Sequence, residues 1–196
     1  MSLLYEIYDY KHAAAILKNE FPTEFKEICG ALRNFYLTVE DVKEAGGNES
    51  KIPKKFSELL RPYGWDEKQL TAKLVIDEEQ QIDFGTHKVD YYKNRVAFDL
   101  EWNSKDQTYD RDLYAFRAFY EYNKISLGIL LTRGSDLADW FGTLGNYINK
   151  YNKKMDYKNK YGASTTHMGK LLPRLNAGRN GGCPVLVFGI TQNVIV

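Results

Sequence analysis

Cysteine and long apolar runs are both scarce in this sequence. Only two of the 196 residues are cysteines, Cys29 and Cys183, and they lie far apart in no metal-ligand spacing. This excludes a disulfide framework and a cysteine-based zinc site, and it favours free thiols in a reducing cytosol. No run approaches the roughly 18 apolar residues of a membrane span, and no basic segment precedes an apolar stretch at the N-terminus. We therefore expect a cytoplasmic protein that is neither inserted into a membrane nor exported.

An excess of charge of either sign is also missing. The chain has 27 basic and 26 acidic residues and a net charge of +1, so an anion-binding surface must arise from local clustering of basic residues. Its length is that of one ordinary domain with a core large enough to fold without metal or disulfides. We expect a single domain that spans residues 1–196.

The most informative stretch covers residues 87–106. Residues 89–92 are β-branched and aromatic, and residues 95–102 alternate in character with a period of two, which predicts the two strands of a β-hairpin. We place a two-residue turn at Lys93-Asn94, because asparagine tolerates positive φ angles. This turn pairs Asp90 with Ala97.

Three carboxylates then share one face of the hairpin. In the predicted register Asp99 lies diagonally from Asp90, and Glu101 follows on the same face, whereas Val96, Phe98, Leu100 and Trp102 point into the core. Adjacent carboxylates repel each other unless a proton or cation intervenes. Oxygen ligands suit Mg²⁺, with Mn²⁺ as a substitute. The alternative is a half-exposed strand with a solvated acidic face.

The remaining pattern predicts helices and strands around this hairpin. Helices are expected at residues 9–17 with Asp9 as N-cap, from Pro22 through Phe35, at 53–60, after Asp110 or Asp112, and from Ser135 or Asp136 through Ile148. Strands are expected at residues 70–76, 80–84, 125–131 and 184–190. The strand at 125–131 has the apolar character of a parallel crossover strand. A loop is expected at residues 38–50.

Residues 149–179 form a basic, tyrosine- and asparagine-rich segment in which Asp156 is the only acid. Lysines such as Lys153 and Lys154 can neutralise phosphates, and Ser164, Thr165 and Thr166 can donate to or accept from base edges. The alternative is a solubilising loop with a helix N-cap at Ser164 or Thr165.

The stretch from Asp90 to Trp102 resembles the active-site hairpin of type II restriction endonucleases of the BglII and BstYI group, within the PD-(D/E)XK nuclease superfamily. The shared order is an acid, eight residues, a second acid, one residue, and an amide or acid. The helix and apolar strand that follow the hairpin, up to residue 135, and the segment at 178–190 are also similar to that group. The resemblance implies a restriction-endonuclease-like α/β fold with a central mixed β-sheet flanked by helices, a catalytic hairpin-helix-strand core at about 87–135, and a DNA-contacting loop at about 149–179.

The resemblance also implies roles for individual residues. Asp90, Asp99 and the Leu100 carbonyl match the metal-binding positions, although glutamate is commoner than aspartate at the second acid. Glu101 stands where most of the superfamily has lysine, so it would have to activate water. The residues after the hairpin are expected to approach DNA; these are Asn103, Ser104 and Lys105.

The implied function is a Mg²⁺-dependent, sequence-specific endonuclease that acts on double-stranded DNA as a homodimer. Two alternatives remain: a repair or junction nuclease of the same fold, and a non-catalytic DNA-binding module. The sequence also leaves open whether Glu24 or Glu27 of the second helix joins the site.

Overall fold

A computed structural model describes residues 3–44, 51–76, 80–149 and 151–196 of the protein. The strands are β1 (Tyr5–Tyr10), β2 (Asp66–Lys68), β3 (Thr71–Ile76), β4 (Gln80–Gly85), β5 (Val89–Lys93), β6 (Val96–Glu101), β7 (Leu127–Arg133), β8 (Asn146–Ile148), β9 (Lys154–Asp156) and β10 (Val185–Ile190). The helices are α1 (Ala13–Glu20), α2 (Pro22–Asn34), α3 (Val39–Lys43), α4 (Lys51–Leu60), α5 (Thr108–Glu121), α6 (Leu137–Thr143), α7 (Tyr157–Lys160) and α8 (Met168–Asn176). Short 3₁₀ turns follow α4 and β10.

Six strands form the central sheet in the order β1-β10-β7-β6-β5-β2. The neighbours β6, β7 and β10 run parallel, and β1, β5 and β2 join antiparallel on either side. Every residue of the three parallel strands is buried, as expected for strands covered on both faces. The structure confirms the expected α/β fold with a mixed sheet flanked by helices.

The two faces of the sheet support separate apolar cores. On one face, α1, α2, α4 and α6 pack against the side chains of Phe98 and Leu100 on β6. On the other face, α5 and α8 pack around Ala97 and its neighbours. Because side chains alternate along a strand, Asp99 and Glu101 lie on the Ala97 face, under α5.

Two predictions about the N-terminal third need correction. Residues 5–10 form the edge strand β1, which pairs with β10, so the chain does not open with a helix at residue 9. The Asp9 carboxylate nevertheless accepts a hydrogen bond from the Ala14 amide at 3.1 Å. Residues 39–43 of the predicted loop are helical, because Thr38 and Asp41 form a capping box. Residues 45–50 of that loop lie outside the described residues.

Two predictions about the C-terminal half also need correction. Helix α6 ends at Thr143, and Gly145, with φ of +76°, redirects the chain into β8 instead of continuing the helix to Ile148. Residues 149–179 are not one loop, because they contain β9, α7 and α8. The N-cap of α8 is His167, not Ser164 or Thr165. None of the described helices is both long and apolar enough to cross a bilayer.

Candidate active site

The hairpin that carries the acids has a different register from the predicted one. Tyr92 pairs with Ala97 and Lys93 with Val96, so the turn is Asn94-Arg95. Both turn residues have positive φ, +43° and +72°, as a type I′ turn requires. The turn predicted at Lys93-Asn94 is therefore wrong by one residue.

The Asn94-Arg95 turn is held by side chains outside the hairpin. The Arg95 guanidinium donates to the Ser126 hydroxyl at 3.2 Å and to the Asn123 carbonyl at 3.0 Å. These bonds hold Arg95 at the turn of the hairpin.

The corrected register brings the first two acids together. The ladder pairing ends at Tyr91 with Phe98, so Asp90 and Asp99 lie just beyond the last described pair. The Asp99 carboxylate accepts a hydrogen bond from the Asp90 amide at 2.7 Å, and the Asp90 carboxylate accepts one from the Leu100 amide at 3.1 Å. Each carboxylate is thus fixed by the backbone of the neighbouring strand.

The two acids of β6 are buried, and Asp90 is half-buried. Asp99 is 3% exposed and Glu101 is 7% exposed. Ala97, predicted on the same face, belongs to the second apolar core under α5. The alternative of a strand with a solvated acidic face does not describe this site.

Helix α5 adds a fourth carboxylate. Asp112 is 2% exposed, and its Oδ1 lies 3.4 Å from the Arg111 guanidinium, which also lies 3.7 Å from Glu101 Oε1. The Asp112 carboxyl also interacts with Glu101 and affects its pKa. Hydrogen bonds connect α5 to the sheet beside these acids. The Tyr109 hydroxyl lies 2.6 Å from the Thr132 hydroxyl, and Thr132 donates to the Glu101 carbonyl at 2.8 Å.

Burial and mutual repulsion raise the pKa of all four acids. Burial, followed by the Asp112 and Asp90 carboxylates, raises the pKa of Asp99 well above its usual range. Burial and then Glu101 do the same to the pKa of Asp112. Burial raises the pKa of Asp90, against the hydrogen bond from Leu100, and raises that of Glu101 to about 7, against a hydrogen bond from Ser104.

The donor set suits a divalent cation. Asp99 Oδ2 and Asp112 Oδ2 are buried and have no hydrogen-bond partner, so two hard oxygen ligands are uncommitted. No three acidic, histidine or cysteine side chains in the described ranges are already arranged to coordinate an ion. Bringing three carboxylates onto an ion would thus require a small movement of the side chains.

The two segments predicted to contact DNA lie beside each other. The Thr166 amide donates to the Ser104 carbonyl at 2.9 Å, and Lys105 forms an antiparallel bridge with Thr165. Ser164 is exposed, its carbonyl accepting from the Asp106 amide at 3.0 Å. We call these paired segments, residues 103–105 and 164–166, the loop bridge.

Arg133, at the end of β7, holds the loop bridge from beneath. Its buried guanidinium donates to the Thr166 carbonyl at 2.8 Å and to the Thr165 hydroxyl, and it lies over the Tyr161 ring at 5.3 Å. Burial lowers the Arg133 pKa to about 10. Sequence reasoning missed this residue.

The other predicted DNA-binding side chains are placed differently. Thr166 is fully buried, and its hydroxyl has no hydrogen-bond partner within the described structure; the buried Asn103 Oδ1 is in the same state. Lys153 and Lys154 are exposed on the hairpin formed by β8 and β9.

The two helix carboxylates considered as additional ligands are committed elsewhere. Glu24 accepts from the Asn94 side chain at 2.7 Å, at the turn of the hairpin. Glu27 pairs with the Lys93 ammonium at 2.7 Å and accepts from Trp65 at 2.8 Å. Neither therefore joins the acids.

Asp112 is the site residue that sequence reasoning missed. It was considered only as a helix-start residue, yet it stands in the apolar stripe of α5 between Tyr109 and Phe116, at helical spacings of three and four. A carboxylate within a buried stripe was the available signal, because such a group is rarely buried without a partner.

The comparisons with known proteins agree with this architecture. No curated protein matches the sequence significantly. The family model described as restriction endonuclease BglII/BglIII matches residues 5–190, which is nearly the whole chain and includes the hairpin, α5 and the loop bridge. The chain therefore belongs to the BglII restriction endonuclease family.

Proposed function

We propose that this protein is a Mg²⁺-dependent, sequence-specific endonuclease that hydrolyses double-stranded DNA in the cytoplasm as a homodimer. The observation that carries the proposal is the convergence of Asp90, Asp99 and Glu101 at one buried place within the region that matches the family. A cluster of carboxylates with strongly raised pKa values is typical of a catalytic site.

The cation would be held by Asp90 and Asp99, with the Leu100 carbonyl as a further ligand. When bound, Mg²⁺ offsets charge on the phosphate in the transition state and lowers the pKa of coordinated water. The hydrogen bonds from the Asp90 amide to Asp99 and from the Leu100 amide to Asp90 orient both carboxylates before the ion arrives.

Glu101 is assigned the role of general base. Its pKa of about 7 matches the proton affinity that a base needs near neutral pH. The Glu101 carboxylate would accept a proton from the attacking water, and the Arg111 guanidinium, 3.7 Å away, would stabilise the charged form of Glu101 before that transfer.

DNA contact is assigned to the loop bridge and the lysines of the β8–β9 hairpin. Asn103, Ser104 and Lys105 follow the catalytic strand directly, and Ser164 and Thr165 are held against them. Lys153 and Lys154 supply positive charge for phosphates. Thr166 is assigned a positioning role, because its side chain is buried and its amide and carbonyl bond to Ser104 and Arg133.

The test is cleavage of phage DNA by the purified protein with Mg²⁺ and with chelator, followed by sequencing of the fragment ends. We expect discrete fragments with Mg²⁺ only, and loss of cleavage in Asp99→Asn with DNA binding retained. Asp139→Asn, an exposed acid on α6, is the matched control.

Other outcomes identify the alternatives. Nicking or cutting that depends on DNA structure rather than sequence would indicate a repair or junction nuclease. Binding without cleavage in any divalent metal would indicate a non-catalytic DNA-binding module.

A further inference from the structure

Asp112 and Asp99 present a matched pair of buried, uncommitted oxygens from different elements. Asp112 extends from α5 and Asp99 from β6, and both side chains are at most 3% exposed. The Oδ2 atom of each has no hydrogen-bond partner. A buried carboxylate oxygen left without a partner is costly, so the pair indicates that a proton or cation belongs between them.

The protein's own cations do not supply this charge. Arg111 contacts Asp112 through Oδ1, at 3.4 Å, and its side chain is about half exposed. Asp99 forms no ion pair within the described structure. Four acidic groups share one half-exposed arginine, so the protein supplies little positive charge here and a bound cation would provide it.

The position of Asp112 is set by packing rather than by a mobile loop. Tyr109 lies three residues before Asp112 on α5 and is hydrogen-bonded to Thr132, which in turn bonds to Glu101. The buried Phe116 lies four residues after Asp112. The Asp112 carboxylate is therefore held toward the acids of β6, as a ligand on a rigid element would be.

From this geometry we propose that Asp112 is a further ligand of the divalent cation, binding it with Asp99 across the gap between α5 and β6. The inference rests on the proposed function and adds a residue to its metal site. If Asp112 is the additional ligand, Glu101 does not have to bind the cation and stays free to accept a proton.

The test measures Mn²⁺ binding to the full chain without DNA, by isothermal titration calorimetry, together with the melting temperature with and without Mn²⁺. Asp112→Asn should bind Mn²⁺ at least about tenfold more weakly than the wild type. Its metal-free melting temperature should equal or exceed that of the wild type, because a buried like charge is removed. Mn²⁺ should then raise the melting temperature less than it does in the wild type.

Two further variants make the test decisive. Asp112→Ser also removes the carboxylate and should show the same loss of Mn²⁺ binding. It replaces Asp112→Asn in the test if that variant folds poorly. Glu121→Gln, an exposed acid at the end of the same helix, should bind Mn²⁺ as the wild type does.

Wild-type Mn²⁺ affinity in both Asp112 variants would overturn the inference. If Asp99→Asn lost binding in the same experiment, the proposed function would stand. Absence of both Mn²⁺ binding and DNA cleavage in the wild type would overturn the inference and the proposed function together.

Discussion

Glu101 contributes to the response of the metal-free protein to pH near neutrality. Its pKa in the folded chain is about 7, above the ordinary value of 4.5, chiefly because it is buried. A raised carboxyl pKa means that the folded state holds the proton more tightly than the unfolded state. This stabilisation is complete below about pH 4.5 and is lost as the pH rises through 7.

We therefore predict that the metal-free wild type loses stability between about pH 5 and 8 relative to Glu101→Gln. The difference should reach up to about 3 kcal/mol, the equivalent of the shift in the Glu101 pKa. Urea unfolding in chelator at several pH values measures it. Parallel pH profiles for the two proteins would show that Glu101 has an ordinary pKa.

The arrangement of acids could be read from the sequence only in part. Period-two alternation places Asp99 and Glu101 on one strand face, and that placement is independent of the turn. The turn itself was misplaced because Asn94 can occupy either turn position, and the positive φ of Arg95 depends on its bonds to Ser126 and Asn123. Asp112 was not placed with these acids, because its position beside them depends on how α5 packs over the sheet.

At the scale of elements, the spacing between α5 and the sheet positions Asp112. Gly128 of β7 lies directly under the ring of Phe116, and a Cβ atom at residue 128 would overlap that ring. The absence of a side chain at Gly128 thus allows α5 to approach the sheet closely.

We predict that Gly128→Ala destabilises the protein by about 1–3 kcal/mol through overpacking. Gly30→Ala is the control, because a Cβ there meets nothing within 4 Å and alanine favours helix α2 by up to about 1 kcal/mol. Denaturant unfolding of both variants measures the effect. If Gly128→Ala were as stable as the wild type, the contact between Gly128 and Phe116 would not set the distance between α5 and the sheet.

Elements with a strong local signal were predictable, whereas those formed by distant pairing were not. The apolar run of β7 and the Pro22 start of α2 agree with the structure. Strand β1 was missed because its partner is β10, about the whole chain length away, and an adjacent alanine-rich segment dominated the local pattern. Sheet pairing outweighed helix propensity there.

At the scale of the whole molecule, composition overstates the basic charge available for DNA. Many cations of residues 149–179 stabilise the fold: Arg174 pairs with Asp106 and Asp110, Arg179 also pairs with Asp110, and Lys160 donates to carbonyls at the C-terminal end of α3. Lys153 and Lys154, by contrast, are exposed and form no ion pair within the described ranges. These two lysines are consequently candidates for phosphate contacts in this segment.

The salt dependence of DNA binding tests this division of the basic residues. Each phosphate neutralised by a lysine changes the slope of log affinity against log salt by about 0.9. We predict that Lys153→Ala with Lys154→Ala makes the slope shallower by up to about 2, because two phosphate contacts are removed. Fluorescence anisotropy with a duplex oligonucleotide in chelator, from about 50 to 200 mM salt, measures binding without cleavage.

The matched control is Lys18→Ala with Lys26→Ala, two exposed lysines on α1 and α2, whose helices pack on the opposite face of the sheet from α5. This pair should leave the slope unchanged, since no DNA contact is assigned to α1 or α2. An equal change in both pairs would indicate nonspecific loss of positive charge. An unchanged slope in both would remove the β8–β9 hairpin from the DNA-binding surface and leave that role to the loop bridge alone.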